Sequence, residues 1–375
     1  MILKNALVYT PRHTFEKGDL VIRDGRIAAY AQPQEGEEVV DADGLYALPG
    51  LVDLHFHGAV GHDFCDADEA GLQAIADFEA AHGVLAICPA TMTFSEEILN
   101  GVMDTAAAHK NDSGADLVGI NMEGPFISPK KVGAQNPEYL QGADIEMFRR
   151  LQKRSGGLIK LVDIAPEEPG ALDFIRACHS ETRISIAHTC AGYDDALAAF
   201  EAGASHMTHL YNAMPGITHR DPGPILAAME KGAAVELITD GVHIHPAVVR
   251  FTFRTFGDDH VVLVADSMMA CGLPDGQYSL GGQAVTVSGP RATLTEHPGV
   301  IAGSATCLYD CMKRAVLDMD VPLESAVRAA SENPARCLGI DADYGSLGAG
   351  RYGNVILAND KLEIQSVYRK GVRIV

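Results

Sequence analysis

Short apolar runs alternate with helix-period segments through the central part of the chain. The gaps between runs have the apolar spacing of amphipathic helices, as in DEAGLQAIADFEAAHG, and the segment YDDALAAFEAG ends in a glycine that is typical of a helix C-terminus. A strand–helix unit repeated eight times predicts an α/β fold, a (β/α)8 TIM-like barrel. The eight runs are LVDLHFH at 51, VLAICPAT at 84, LVGINME at 117, IKLVDIA at 159, RISIAHT at 183, ASHMTHL at 204, AAVELITD at 233 and VVLVADS at 261.

The two chain ends have a β-type pattern instead. Residues 1–48 contain the runs LKNALVYT and GDLVIRDGRIAAYA, with a turn signal at Asp24-Gly25, and residues 341–375 alternate in the same way. We expect these ends to build one small β-sandwich domain beside a barrel of residues 49–340. Residues 273–297 are glycine-rich and β-like, so they are expected to form a β insertion in the barrel or a further part of the small domain.

Composition and charge narrow the range of partners. The formal net charge is −21, and phosphate-backbone binding needs a basic patch, so nucleic acid is not an expected partner. No apolar run approaches the roughly 20 residues of a membrane-spanning helix, so no membrane partner is expected. The eight cysteines are scattered without a C-x-x-C pair, which is typical of reduced thiols and of a cytoplasmic location.

Side chains that can bind a metal stand at the ends of five predicted strands. Because the carboxyl ends of barrel strands converge on one face, we expect these side chains to share a single site. One buried histidine alone would more often be a hydrogen-bonded core residue, but chance must here place six ligands at the same end of five strands. They are His55 and His57 after the first strand, Glu123 after the third, His188 after the fifth, His209 after the sixth and Asp266 after the eighth.

The H-x-H pair at His55 and His57 gives a further geometric constraint. Side chains alternate along a strand with period two, so both imidazoles point to the same side and can reach one cation. Histidine together with carboxylate favours a divalent metal, zinc first, with iron, manganese or cobalt as alternatives. The six ligands can serve one or two ions per subunit.

Seven motifs resemble the amidohydrolase superfamily and, within it, the family of N-acetylglucosamine-6-phosphate deacetylases. The opening PG-x-x-D-x-H-x-H marks the superfamily alone, whereas EGPF, HLYNAM and RDPG are more specific to the deacetylases. The resemblance covers the whole chain. It rests on ALPGLVDLHFHG, MEGPFISPKKVGAQNP, IAHTCAGY, THLYNAMPGITHRDPG, DGVHIHP, VADSMMACG and IAGSA.

The resemblance implies an activity and a role for each metal-binding residue. The implied reaction is hydrolysis of N-acetylglucosamine-6-phosphate to glucosamine-6-phosphate and acetate by a metal-activated water, with Asp266 as the catalytic base and acid. Glu123, His188 and His209 would be the main metal ligands. His55 and His57 would hold a second ion with Glu123 as the bridge, and Asp266 is also among the implied metal-binding residues.

Substrate contacts also follow from the resemblance. Arg220 would bind the phosphate and reach into the site of a neighbouring subunit, which makes a homodimer necessary. The position of Gln135 is often histidine in the family, so a role that requires an imidazole is not expected of it. The remaining implied contacts are Ala134, Asn212, Ala213, Asp240, His243, Ile301, Ala302 and Gly303.

Two alternatives stay open at this point. N-acetylgalactosamine-6-phosphate deacetylases share most of these motifs, and the sequence separates the two epimers only weakly. A non-catalytic binding protein on the same fold would be expected to have lost metal ligands, and all six are present. A dihydroorotase-like function is disfavoured, because the fourth strand ends without the lysine that such enzymes carboxylate and Lys160 lies nearer its middle.

Overall fold

The computed structural model describes residues 1–28, 34, 36–111 and 113–375. The chain begins with strands β1 Ile2–Tyr9, β2 Phe15–Arg23, β3 Arg26–Ile27, β4 Val39–Asp41 and β5 Tyr46–Pro49. β1 pairs antiparallel with β2 and parallel with β4 and β5. Asp24 and Gly25 both have positive φ, as a tight turn between β2 and β3 requires. The end of the predicted run GDLVIRDGRIAAYA, at residues 29–31, lies outside the described residues.

Parallel strands form the centre of the molecule. Each of the eight predicted runs contains a strand, and the third run is divided into two, β10 and β11. Six strands, β11 to β16, pair in parallel and in chain order as a half-barrel, while β6, β9 and β10 form a second parallel sheet. The strands of this region are β6 Leu51–Asp53, β7 Gly58–Ala59, β8 His62–Asp63, β9 Val84–Ile87, β10 Asp116–Leu117, β11 Ile120–Met122, β12 Ile159–Ile164, β13 Arg183–Ile186, β14 His206–Met207, β15 Ala234–Ile238 and β16 Val261–Val264.

Backbone hydrogen bonds beyond the strand ends link the two parallel sheets on both sides. On one side, Asn121 donates to Pro89 O at 2.9 Å. On the other, the amide of Asp266 donates to His55 O at 2.9 Å, and the amide of His57 donates to Ser267 O at 2.7 Å. The segments that carry the predicted ligands therefore meet at one rim.

Helices connect successive strands, and their ends carry the expected signals. Asp68 caps the first helix by accepting from the amides of Ala70 and Gly71. Gly203 ends the fifth helix with φ +125°, where a Cβ would lie 2.5 Å from His179 Cγ. The helices are α1 Glu69–Ala81, α2 Glu96–Ala108, α3 Ile145–Arg154, α4 Ala171–Cys178, α5 Tyr193–Ala202, α6 Gly223–Lys231, α7 Pro246–Phe256, α8 Leu308–Leu317, α9 Leu323–Ala330 and α10 Glu332–Leu338, with two short 3-10 helices at Phe64–Asp66 and Pro137–Tyr139.

The segment after β16 forms a small antiparallel sheet of its own. Its strands are β17 Gly276–Leu280, β18 Gln283–Ser288 and β19 Arg291–Leu294. Its apolar side chains pack against Met92 and Met268 of the barrel region. Within the described residues, no strand of this sheet pairs with the strands of the chain ends.

The two chain ends share one eight-stranded sheet. The last strands are β20 Val355–Ala358, β21 Ile364–Arg369 and β22 Val372–Arg373, and β20 pairs antiparallel with β5. This sheet has a separate apolar cluster that includes Leu3, Ile22 and Tyr368. Across the part of the chain that the structure describes, no helix has the length and apolar character needed to span a bilayer.

Candidate metal centre

The six predicted ligands lie together at the rim where the parallel strands end. Each follows a strand by no more than four residues, and all six are buried. Among the described residues, their ligand atoms fall into two compact groups, Glu123 with His188 and His209, and His55 with His57 and Asp266. Sequence position and geometry therefore agree on one polar centre.

The first group has the dimensions of an ion-binding triad. Glu123 Oε1 lies 3.1 Å from His188 Nε2 and 3.2 Å from His209 Nε2, and the two nitrogens are 3.1 Å apart. Ligand atoms at 2.0–2.1 Å from a tetrahedral zinc are separated by about 3.3 Å, so a small movement would admit the ion. Three protein ligands would leave a fourth position open for water or substrate.

The second group shares the other oxygen of Glu123 and is wider. His57 Nε2 lies 3.3 Å from Glu123 Oε2 and 3.4 Å from Asp266 Oδ1, while His55 Nε2 lies 3.7 Å and 3.8 Å from the same two atoms. His55 Nε2 is buried and has no hydrogen-bond partner in the structure. A buried imidazole nitrogen aimed at two carboxylates fits a divalent ion.

Contacts behind the ligands orient the imidazoles. His188 Nδ1 donates to Lys131 O at 2.7 Å, because a carbonyl can only accept, and this leaves the Nε2 lone pair directed at the centre. His55 Nδ1 donates to Glu236 Oε2 at 2.8 Å, and His206 Nε2 donates to Glu236 Oε1 at 2.9 Å. Burial would raise the pKa of Glu236, but His55 and His206 together lower it below its ordinary value. Glu236 is therefore an anionic support for the centre.

Three of the ligands occupy strained backbone conformations. His188, His209 and Asp266 have φ values of +42°, +26° and +47°. Such left-handed conformations cost a non-glycine residue about 1–3 kcal/mol and tend to occur at functional sites. Burial would raise the pKa of Asp266, but the hydrogen bond from His57 lowers it overall, so the carboxylate is ionised at neutral pH.

A cavity of about 420 Å³ opens above the centre. It is lined by the ligands His57, Glu123, His188, His209 and Asp266, and by the predicted substrate contacts Ala134, Gln135, Asn212, Ala213, His243, Ile301 and Gly303. Three predicted contacts are not among its lining residues. Asp240 and Ala302 are fully buried, and Arg220 is exposed on the loop before α6.

Asp240 acts on the cavity through His243. Its Oδ2 accepts from His243 Nδ1 at 2.8 Å, and its Oδ1 accepts from the amide of the same residue at 2.9 Å. Burial alone would lower the pKa of His243, but the hydrogen bond to Asp240 raises it overall. The pair therefore makes the charged form of His243 easier to reach than in a free histidine, which suits an anionic ligand.

Some lining residues were not singled out from the sequence. Lys130 and Lys131 bring two cations to the cavity, and Met92, Leu280 and Val300 form an apolar part of its wall. The two lysines stand in the motif SPKKVGAQNP, so the adjacent pair was the available signal. The apolar wall comes partly from the β17–β19 sheet, whose place in the fold follows from packing rather than from local pattern.

Comparison with known proteins places these features in a family. The sequence profile of the amidohydrolase family matches residues 46–374. The chain belongs to the amidohydrolase family. The resemblance predicted from its motifs is thereby confirmed, and this amidohydrolase is an enzyme of the class that hydrolyses a linear amide. Its buried His, Glu and Asp side chains could hold a divalent metal ion.

Curated relatives of this amidohydrolase match over nearly the whole chain. N-acetylglucosamine-6-phosphate deacetylase of Bacillus subtilis (strain 168) is 36% identical over 378 residues, which are 97% of this chain and 94% of that protein. N-acetylgalactosamine-6-phosphate deacetylase of Escherichia coli O157:H7 is 32% identical over 374 residues, covering 99% of this chain and 98% of that protein. The family thus includes close relatives named for each epimer.

A solved structure also matches the entire chain. It is a mutant of N-acetyl-D-glucosamine-6-phosphate deacetylase from Mycobacterium smegmatis in complex with N-acetyl-D-glucosamine-6-phosphate. The TM-score is 0.92 at 32% sequence identity, and the match covers 100% of this chain and 99% of that chain. The fold of this amidohydrolase is therefore the fold of the deacetylases.

Proposed function

We propose that this amidohydrolase deacetylates N-acetylglucosamine-6-phosphate to glucosamine-6-phosphate and acetate. The observation that carries the proposal is the triad of Glu123, His188 and His209 at 3.1–3.2 Å, with Asp266 beside it in a cavity that is also lined by lysines. The relatives named for this reaction support the same substrate. All six candidate ligands are buried together, which argues against a non-catalytic binding protein.

Each residue of the centre has a distinct task in this reaction. Glu123, His188 and His209 would hold the ion, with zinc preferred by the mixed imidazole and carboxylate ligands and iron, manganese or cobalt as alternatives. When bound, a divalent ion lowers the pKa of water and polarises a carbonyl group. Asp266 takes a proton from water as the new C–O bond forms, and gives it to the nitrogen as the C–N bond breaks. Acetate and the free amine are the balanced products.

Phosphate binding is assigned to cations outside the centre. Lys130, Lys131 and His243 lie in the wall of the cavity and can offset the unfavourable field of a chain with a net charge of −21. Arg220 is exposed and outside the lining of its own cavity, which supports a role in the site of a second subunit. We therefore include a homodimer in the proposal.

Other wall residues complete the substrate site. Ala134, Gln135, Asn212, Ala213, Ile301 and Gly303 are proposed to contact the sugar or its acetyl group. Ala302 is buried behind this wall, and Asp240 acts by holding His243. The apolar side chains of Met92 and Leu280 fit the acetyl methyl group.

We also propose a complete (β/α)8 barrel at residues 49–340, with a small β-sandwich domain from residues 1–48 and 341–375. The hydrogen bonds from Asp266 to His55 and from Asn121 to Pro89 support closure of the barrel. The separate apolar cluster of the chain ends supports the small domain. The eight cysteines are free thiols in the structure, which favours a reducing compartment such as the cytoplasm.

The test combines metal analysis with a free-amine assay. The purified protein is offered N-acetylglucosamine-6-phosphate, its galacto epimer and the unphosphorylated sugar, with a His188→Ala variant as the blank. We expect a bound divalent ion and the highest kcat/KM for the gluco phosphosugar. A higher kcat/KM for the galacto epimer would favour the activity named for the E. coli relative. Equal rates with and without phosphate would contradict the phosphate site, and no amine release from any sugar would contradict the function.

A further inference from the structure

Both polar atoms of the Gln135 side chain form hydrogen bonds within the protein, although Gln135 lines the substrate cavity. Its Nε2 donates to Glu123 Oε2 at 2.8 Å, and its Oε1 accepts from the amide of Thr93 at 2.7 Å. A backbone amide can only donate, so the Thr93 contact fixes which end of the carboxamide faces Glu123. We infer that Gln135 is a positioning residue that holds the Glu123 carboxylate in the orientation for one tightly bound ion and weakens the binding of a second.

The two oxygens of Glu123 have different neighbours, and for this reason we expect the two ions to bind with different affinities. Oε1 faces only the first group, at 3.1 Å from His188 Nε2 and 3.2 Å from His209 Nε2. Oε2 would have to serve a second ion, because it is the oxygen nearest His57 and His55, at 3.3 Å and 3.7 Å. The N–H of Gln135 already occupies this oxygen. An ion in the second group must therefore share a carboxylate oxygen whose electron density a hydrogen bond has drawn away.

The loop that carries Gln135 is fixed independently of its side chain. Gln283, in β18, donates from its Nε2 to Ala134 O at 2.6 Å and to Gln135 O at 3.1 Å. Gln135 is itself 3% exposed, so water does not compete well for its bonds. Two residues therefore hold Gln135 in place for its contact with Glu123. Thr93 binds its side chain, and Gln283 binds its backbone.

The expected size of the effect follows from the usual role of such contacts. Groups that orient a metal ligand through a hydrogen bond typically contribute about 10–100-fold to metal affinity, which sets the scale of the effect. For the second ion the expected sign is the opposite, because this hydrogen bond withdraws electron density from the oxygen that the ion would use. Because Gln135 acts on the oxygen of the second group, its loss should strengthen the second binding step. The first step uses Oε1, so it should change much less. The ratio of the two dissociation constants is therefore the diagnostic quantity.

The inference rests on the proposed metal centre, and it is tested by metal titration rather than by activity. The metal-stripped full-length protein is titrated with Co²⁺, followed by calorimetry and by visible absorption, which reports ligand geometry at each step. Gln135→Met removes both hydrogen bonds with little change of volume. Gln135→Glu keeps an acceptor for Thr93 but replaces the donor to Glu123 with a second negative charge. Gln283→Met is the matched control, since it loosens the loop without touching the Glu123 contact.

We expect the wild-type protein to bind one Co²⁺ tightly and a second at least about 100-fold more weakly. In Gln135→Met and Gln135→Glu the second dissociation constant should fall by about tenfold or more, with the larger fall in the charged variant. Gln283→Met should stay within about threefold of the wild type. Ratios unchanged in both Gln135 variants, or an equal change in Gln283→Met, would overturn the positioning role. Two equally tight ions in the wild type would overturn it too while leaving the proposed function intact, whereas no ion at all would contradict both.

Discussion

Asp266 differs from the other candidate ligands because its carboxylate can still accept a proton when the first ion is bound. Its Oδ1 lies beside His57 and His55 at 3.4 Å and 3.8 Å, and it takes no part in the compact group around Glu123 Oε1. Its backbone is strained, with φ +47°, and the Cβ that Gly303 lacks would meet Asp266 O at 3.0 Å. The fold therefore fixes a carboxylate next to the first ion position without requiring it as a ligand there.

Replacing Asp266 with asparagine should separate catalysis from binding. Asp266→Asn keeps the side-chain volume but cannot accept and return a proton, so kcat should fall by roughly 10²–10⁴-fold. The first ion and the KM should change little. Steady-state amine release and metal content provide the measurement, and Asp173→Asn, at an exposed aspartate, is the control. A kcat within about tenfold of the wild type would show that another group moves the proton.

The gathering of the six candidate ligands was predictable from sequence because they follow strands whose ends must converge. The contact between Gln135 and Glu123 was not predictable, since it depends on the path of one loop and on Thr93 from another loop, between β9 and α2. For the same reason the lysine pair at 130 and 131 escaped notice. Both lysines line the cavity, and Lys131 O accepts a hydrogen bond from His188 Nδ1 there.

At the scale of elements, the strand runs were predictable while some of their partners were not. Continuous apolar runs predict buried parallel strands, and each such run contains one. The third run divides where Val118 and Gly119 interrupt it, and a Cβ at Gly119 would lie 2.6 Å from Lys160 Cγ. The alternation in residues 273–297 predicted β structure but not which sheet it would join. That choice was decided by packing against Met92 and Met268.

One carboxylate, that of Asp116, links the sheet of the chain ends to the parallel strands by charged hydrogen bonds. Asp116 of β10 receives Arg369 Nη2 at 2.7 Å, Lys370 Nζ at 2.8 Å and the hydroxyl of Tyr344 at 2.8 Å. Burial would raise the pKa of Asp116, but the hydrogen bonds from Lys370, Arg369 and Tyr344 lower it overall. This cluster joins β21 and the loop after α10 to the parallel strands.

Replacing Asp116 with asparagine should lower the free energy of unfolding by about 2 kcal/mol at pH 7, because bonds to a charged group are lost. A carboxyl whose folded pKa is depressed stabilises the fold above its unfolded pKa of about 3.9, and this contribution is lost as the pH falls through the folded value. The difference between wild type and Asp116→Asn should therefore be constant from pH 8 to about pH 5 and shrink only below about pH 4. Urea midpoints across this range provide the measurement.

The control for this prediction is an exposed ion pair of similar length. Lys17 Nζ lies 2.6 Å from Asp43 Oδ1, and both side chains are more than 60% exposed. Asp43→Asn should change the urea midpoint much less than Asp116→Asn at every pH, because solvent screens an exposed pair. An equal loss in both variants would mean that general charge balance, rather than the Asp116 cluster, stabilises the join between the sheets.

At the scale of the whole molecule, the bound ion should link activity to stability. Removal of the ion by a chelator should abolish amine release, and one equivalent of Zn²⁺ should restore it. An ion present at about 1,000 times its dissociation constant stabilises the fold by about 4 kcal/mol, so the Tm should also fall by several degrees. His188→Ala should show no further shift with chelator. Full activity after complete removal of the metal would contradict the centre.

The role proposed for Arg220 can be tested only in a dimer. If it binds phosphate in the neighbouring site, Arg220→Ala should raise the KM for the phosphosugar by about 10–100-fold and leave the unphosphorylated sugar unaffected. His188→Ala is inactive in its own site but still donates a normal Arg220. A dimer of the two variants would therefore contain one complete site, formed by the metal ligands of one subunit and Arg220 of the other.

Co-expression of the two variants with different tags decides between the arrangements. With random pairing, half of the dimers are mixed and each has one complete site, so about a quarter of all sites should behave as wild type at low substrate concentration. If Arg220 instead serves its own chain, no mixed dimer contains a complete site, and the activity should equal the average of the two variants measured apart. Isolation of the mixed dimer through both tags sharpens the comparison, because half of its sites should then be complete. Activity at the simple average would place Arg220 away from the neighbouring phosphate and remove the reason for a functional dimer.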